Sequence, residues 1–137
     1  MAAHVTLKDY IGIAPASGLE LAELVERGLP LESLNLLKTR GLTFTEMGAT
    51  VISPRTLKHR KSRGENLSPE ETDRAVRVAS MIALADEVFG SHEKALLWLR
   101  SEDDRLGGRT PLSMLGTESG GRLVESQLWA IDEGVYS

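Results

Sequence analysis

Most of this chain's capacity for chemistry lies in twelve consecutive residues. Ser53-Pro54-Arg55-Thr56-Leu57-Lys58-His59-Arg60-Lys61-Ser62-Arg63-Gly64 holds five Lys/Arg, one His and no acid, inside a chain of formal net charge -4. Residues 1–54 sum to -2 and residues 65–137 to -7, so an acidic protein has gathered positive charge on one short segment. Guanidinium and ammonium groups at that density suit a polyanion. The plain alternative is a solvated charge run, but a run made for solubility normally interleaves Glu and Asp. This one contains neither.

Local signals make the segment a helix. Ser53 is a good N-cap, Pro54 fits the first helical position, and Gly64 can take the left-handed conformation that ends a helix. At about 100° per residue, Leu57 stands alone as an apolar anchor. Arg55, Thr56, His59, Ser62 and Arg63 occupy the opposite arc, Arg60 and Lys61 flank the anchor, and Lys58 lies between. Such a helix has the features of a major-groove reader. Arg55, Thr56 and His59 are expected to approach bases, and Lys58, Arg60, Lys61 and Arg63 to meet phosphates.

Other reactive constellations are missing from the sequence. Gly107-Gly108 lacks the spacing and following residues of a phosphate-binding loop and reads as a turn between helices. His4, His59 and His92 have no metal-ligand spacing to one another or to an acid. Glu102-Asp103-Asp104 could be read as a carboxylate pair or a Mg²⁺ site, though adjacent loop acids are ordinarily solvated. No Gly-x-Ser-x-Gly elbow occurs. No catalytic, cofactor-binding or metal residue is therefore assigned, and the chain does not read as an enzyme. Trp98 and Trp129 sit among apolar neighbours and suit either a core or a partner surface. The final Val135-Tyr136-Ser137 reads as a frayed end or as a plug for a partner's pocket.

The elements that must position these residues are punctuated throughout. Ser17 to Arg27 is a helix stopped by Gly28, Pro30 opens a second that closes at Gly41, and Thr43 with Glu46 forms a capping box for a short third. Ser68 and Glu71 cap a long helix running to Phe89, apolar almost all round between Ala75 and Ala85 and so expected as a buried central strut. Ser91 caps the next helix, residues 111–115 form a short turn, and Val124, Leu128 and Ile131 mark a final helix, with Gly120-Gly121 as its flexible start. Period-2 alternation is absent, so the fold class is all-α. Two short helices and a basic one joined by tight turns make a helix-turn-helix. Residues 1–66 are expected to form the DNA-binding region and 67–137 a second small helical domain, with the helix 69–89 linking them. Residues 1–16 read as a loose arm.

Composition bounds the rest. Hydrophobic residues at 41% exclude wholesale disorder, and the absence of Cys excludes disulfides and thiolate metal sites. No run approaches the roughly 20 apolar residues of a membrane span, and the N-terminus lacks signal-peptide character, so a cytoplasmic protein is expected. No internal repeat is evident.

At this point the chain resembles the Xre/MbcA/ParS class of bacterial antitoxins. The resemblance rests on Ser53-Pro54-Arg55-Thr56-Leu57, Arg60-Lys61 and Leu67-Ser68-Pro69-Glu70-Glu71-Thr72-Asp73-Arg74. It is strengthened by Val88-Phe89-Gly90, Ala95, Trp98-Leu99, Leu106-Gly107-Gly108-Arg109-Thr110-Pro111-Leu112, Thr117, Gly120 and Gly134-Val135, in order and at that family's spacing. It implies an Xre/Cro-like helix-turn-helix followed by a toxin-binding domain, in a type II toxin–antitoxin system. The implied partner is a RES-domain toxin, of a class that consumes NAD or transfers from it. The implied toxin-binding residues are Trp98, Leu106, Gly107, Gly108, Arg109, Pro111, Trp129, Gly134, Val135, Tyr136 and Ser137. The antitoxin would also repress its own operon by binding operator DNA. The alternative is a stand-alone helix-turn-helix repressor whose C-terminal domain dimerises or senses a ligand. Such readers usually work as symmetric dimers, on half-sites about 34 Å apart. The segment Leu19–Val25 is the candidate dimer contact, with packing inside the monomer as its rival.

Overall fold

The polar residues that punctuate the sequence become helix caps in the computed structural model, which describes residues 7–134. Ser17, Thr43, Ser53, Ser68, Ser91 and Thr117 each accept the backbone N–H three residues on. Each such cap is worth about 1 kcal/mol. The helices they start, with two others, are α1 (Leu7–Ile11), α2 (Gly18–Arg27), α3 (Ser33–Thr39), α4 (Phe44–Thr50), α5 (Pro54–Arg63), α6 (Pro69–Phe89), α7 (His92–Leu99) and α8 (Glu118–Asp132). Single 3-10 turns at Asp104–Leu106 and Leu112–Met114 connect the last two. The fold is all-α, with no strand among the described residues. None of their helices is long and apolar enough to cross a membrane. Pro30 opens a turn rather than the helix itself; its carbonyl accepts Ser33 N–H at 3.1 Å, and α3 begins there.

Helix α6 is the central strut. Ala75, Val78, Ala79 and Ala85 are fully buried and Ile82 nearly so. Their small side chains let α1, α2, α4, α7 and α8 all pack against this one helix. The result is one continuous apolar cluster that runs from Tyr10 through Leu57 to Leu128.

Two expectations need correction. Residues 7–11 of the supposed loose arm form α1, whose Tyr10 and Ile11 are completely buried against α3 and α6. The Tyr10 hydroxyl donates to Asp86 on α6, and the Arg40 guanidinium lies 5.6 Å from the ring centroid. Tertiary burial holds this single turn, which could not persist alone. Gly120-Gly121, expected as a flexible start, is instead buried within the first turn of α8. A Cβ on Gly120 would sit 2.0 Å from the Met114 carbonyl oxygen, and one on Gly121 2.8 Å from Arg77 Cδ. These glycines serve close approach rather than flexibility.

Candidate nucleic-acid and partner interfaces

Helix α5 is seated by one buried residue, Leu57, at 5% exposure. Pro54 begins it, and Gly64 ends it at φ +65°. Arg55, Lys58, His59, Lys61, Ser62 and Arg63 are exposed, and Thr56 is half-buried. Arg55, Thr56, Lys58, His59 and Ser62 line a shallow concavity on the outward face. The Thr56 hydroxyl accepts from Ser53 Oγ at 2.9 Å, which leaves its own proton free to donate outward. Ser62 Oγ donates to the His59 carbonyl at 2.8 Å, so its lone pairs face solvent. Among the described residues, Arg55, Lys58, Lys61 and Arg63 form no ion pair. Their charge is available to a polyanion.

Arg60 differs from its neighbours. Its Nε and Nη2 donate to Glu71 Oε1 and Oε2 at 2.9 and 3.1 Å, and Nη1 donates to Glu65 at 3.1 Å. Burial pushes the Glu71 carboxyl up, but the Arg60 guanidinium and the Ser68 amide outweigh it and hold it below the usual range. Three of the five guanidinium N–H groups of Arg60 are thus given to carboxylates, so it is less available to phosphate than Lys58, Lys61 or Arg63.

The turn ahead of α5 is tight and buried. Val51 and Ile52 are 2% and 4% exposed, and both their N–H groups reach the Met47 carbonyl. Arg74 Nε donates to the Val51 carbonyl at 2.9 Å from α6. On the other side of α4, Arg100 forks onto Glu46 with two bonds of 2.8 Å and reaches the Gly41 carbonyl at 2.7 Å. Arg100 holds the Glu46 carboxyl below its ordinary value despite partial burial.

The second set of predicted residues is divided by burial. Leu106 and Pro111 are buried, whereas Gly107, Gly108 and Arg109 are exposed at the tip of a closed loop. That loop is pinned where Asp103 N–H donates to the Arg109 carbonyl at 3.0 Å. Asp103 is no half of a carboxylate pair: Arg105 forks onto it and holds its pKa low. Among the described residues, no cluster of three or more His, Asp or Glu is placed to hold a metal. Trp98 is half-buried with its ring 5.7 Å from that of Phe89. Trp129 is 47% exposed and Gly134 is exposed. Val135, Tyr136 and Ser137 lie outside the described residues.

Two apolar residues escaped the sequence reading: Leu97 on α7, 69% exposed, and Leu123 on α8, 52% exposed. On α8, Arg122, Leu123, Ser126 and Trp129 point outward while Val124, Gln127 and Leu128 are buried. The signal was available, since placing Val124 and Leu128 inward turns Leu123 about 100° or more away from them, onto the flank of the helix.

Comparison with known proteins matches both halves of the chain. Residues 20–80 match the model of the antitoxin Xre-like helix-turn-helix domain. Residues 84–134 match that of the antitoxin Xre/MbcA/ParS C-terminal toxin-binding domain. The chain is 37% identical over 119 residues to Antitoxin Xre of Pseudomonas putida, covering 87% of this chain and 75% of the relative. It is 28% identical over 130 residues to Antitoxin Xre of Yersinia enterocolitica, covering 93% and 88%. With a helix-turn-helix bearing an outward basic helix, a second helical region with exposed apolar residues, and these relatives, the chain belongs to the Xre family of antitoxins.

Proposed function

We propose that this chain neutralises a RES-domain, NAD-consuming toxin and represses its own operon from the cytoplasm, without catalysis of its own. The observation that carries the DNA half is α5: a capped helix with four cations that form no ion pair among the described residues, and an outward face lined by Arg55, Thr56, Lys58, His59 and Ser62. Arg55, Thr56 and His59 approach base edges; Lys58, Lys61 and Arg63 meet phosphates. The toxin half uses Trp98, Gly107, Gly108, Arg109 and Trp129, with Leu97 and Leu123 added by their exposure. The segment 134–137 enters the toxin's cleft and excludes its cofactor. In this division residues 1–66 serve DNA and 67–137 the toxin, with α6 common to both. A homodimer on paired half-sites completes the repressor. The exposed Leu19 on α2 supports that helix as its contact, although Leu24 of the same helix is buried within the chain.

Co-purification tests the reading directly. The chain, co-expressed with the product of its neighbouring gene, should hold that protein in a stable complex and abolish its NAD consumption. A neighbour that fails to bind, or that keeps its activity in the complex, refutes the toxin assignment. Deleting residues 134–137 should restore NAD consumption while leaving the complex intact. A truncated chain that inhibits as well as the full one removes the tail from the mechanism.

A further inference from the structure

Glu46 and Glu71 each do two things. Each is the third residue of a capping box, accepting the backbone N–H of Thr43 or Ser68 at 2.9 and 2.8 Å. Each is also gripped by a two-pronged guanidinium from a different element: Arg100, just past the end of α7, on Glu46 of α4, and Arg60 of α5 on Glu71 of α6. The two helices of the helix-turn-helix are thus both tied by the same device.

The device answers a mechanical need. Helix α5 buries a single residue, Leu57, and α4 is seven residues long and buries Met47 and Thr50. A helix seated by one apolar side chain can roll and slide about it, because apolar contact has no direction. Two parallel N–H···O bonds have one, and they fix both rotation and distance. Roll of α5 by one residue's worth, about 100°, would exchange the outward arc for its flank.

The same geometry argues against a direct role on DNA. The Arg60 guanidinium lies between two carboxylates, Glu71 and Glu65. Those two carboxylates already balance its charge, whereas Lys58, Lys61 and Arg63 on the same helix keep theirs. Arg100 likewise directs Nε and Nη2 at Glu46 and the Gly41 carbonyl. We infer that Arg60 and Arg100 are positioning residues of the DNA-binding surface, setting the pose of α5 and α4 while touching no DNA. The inference rests on the DNA-binding reading of α5. Arg100 falls within residues 84–134, matched by the toxin-binding model, so the toxin-binding half supplies part of the DNA-binding geometry.

Salt dependence separates positioning from contact, because each phosphate neutralised by protein contributes about 0.9 to the slope of log affinity against log salt. The probe is a duplex enriched from a random-sequence pool on the wild-type chain. Arg60→Met and Arg100→Met should each lower affinity about tenfold at every salt concentration and leave the slope unchanged. Lys58→Met, the contact control, should lower the slope by about 0.9. A slope reduced by about 0.9 in either arginine variant, or an affinity equal to wild type, overturns the inference. Amide exchange in the free protein gives an arm independent of DNA. Opening should quicken in α5 for Arg60→Met and in α4 for Arg100→Met, with α8 still protected. Equal loss of protection throughout would show general destabilisation and overturn the positioning role. A wild type that enriches no duplex refutes the DNA-binding reading itself, while the exchange pattern still reports whether the forks hold the helices.

Discussion

Charge at single residues is used in two opposed ways within ten residues. Lys58 and Arg60 are two positions apart, yet one ammonium is unpaired in solvent and one guanidinium is enclosed by acids. Replacing Arg55 with Ala should relax sequence preference at a cost of about 1–3 kcal/mol, read by comparing affinity for the enriched duplex and its single-base variants. Equal losses on every duplex would make Arg55 a backbone contact instead. The forked glutamates have a pH consequence. Both carboxyls lie below their ordinary 4.5 in the folded chain, so the unfolded state binds protons first on acidification. Their contribution is therefore full above about pH 4.5 and lost as pH falls through the folded values. Arg100→Met should flatten the fall of melting temperature as pH drops below about 4.5; an unaltered profile would show that Glu46 gains nothing from the fork. The outward arc of α5 was legible because capping and helical period are local rules. Arg60 was not, because Glu71 lies on another helix and its capping-box spacing is by itself sufficient reason for a glutamate there.

At the scale of elements, four of the six N-caps, at Thr43, Ser53, Ser68 and Ser91, and the long apolar helix could be read directly, since each signal lies within three or four residues of its effect. Helix α1 could not, because one turn carries no periodicity and its order comes from Tyr10 meeting Asp86, 76 residues away. Asp86 also pairs with His92 Nδ1 at 2.8 Å, so α1, α6 and α7 converge on a single carboxylate. Tyr10→Ala should cost about 3 kcal/mol or more in chemical denaturation, from the cavity and the stranded carboxylate together. A loss below about 1 kcal/mol would return residues 7–11 to the status of an arm. The Gly120-Gly121 pair was misread because flexibility and close approach call for the same residue. Gly120→Ala forces α8 away from the Met114 carbonyl and should destabilise by about 2 kcal/mol or more. A neutral Gly120→Ala, measured the same way, would mean that α8 has room to shift.

Across the whole molecule, the two functional halves share one core rather than two. Both tryptophans, Trp98 and Trp129, lie in the C-terminal half, so their fluorescence reports that half alone while far-UV dichroism reports every helix. The two signals should follow one coincident denaturation curve. Separate midpoints would show that the halves fold independently. The all-α class, the order of helices and the strut itself were legible from pattern, because Ala75 to Ala85 are apolar almost all round; which helices the strut serves was not, because those contacts are made between residues far apart in sequence. That sharing governs how such proteins can be recombined. Along α6, Arg74 holds the Val51 carbonyl of the DNA-binding turn, and one helical turn later Arg77 holds the Leu115 carbonyl at 3.3 Å. A splice at residue 67, joining this reader to a relative's second half, would bring in a foreign α6 and sever Arg74 from its turn. A splice after Gly90 would keep the turn but sever Arg100 from Glu46. Exchange of specificity between relatives therefore requires a second half that keeps a guanidinium at positions 74 and 100, so strut and turn must be exchanged as a matched set.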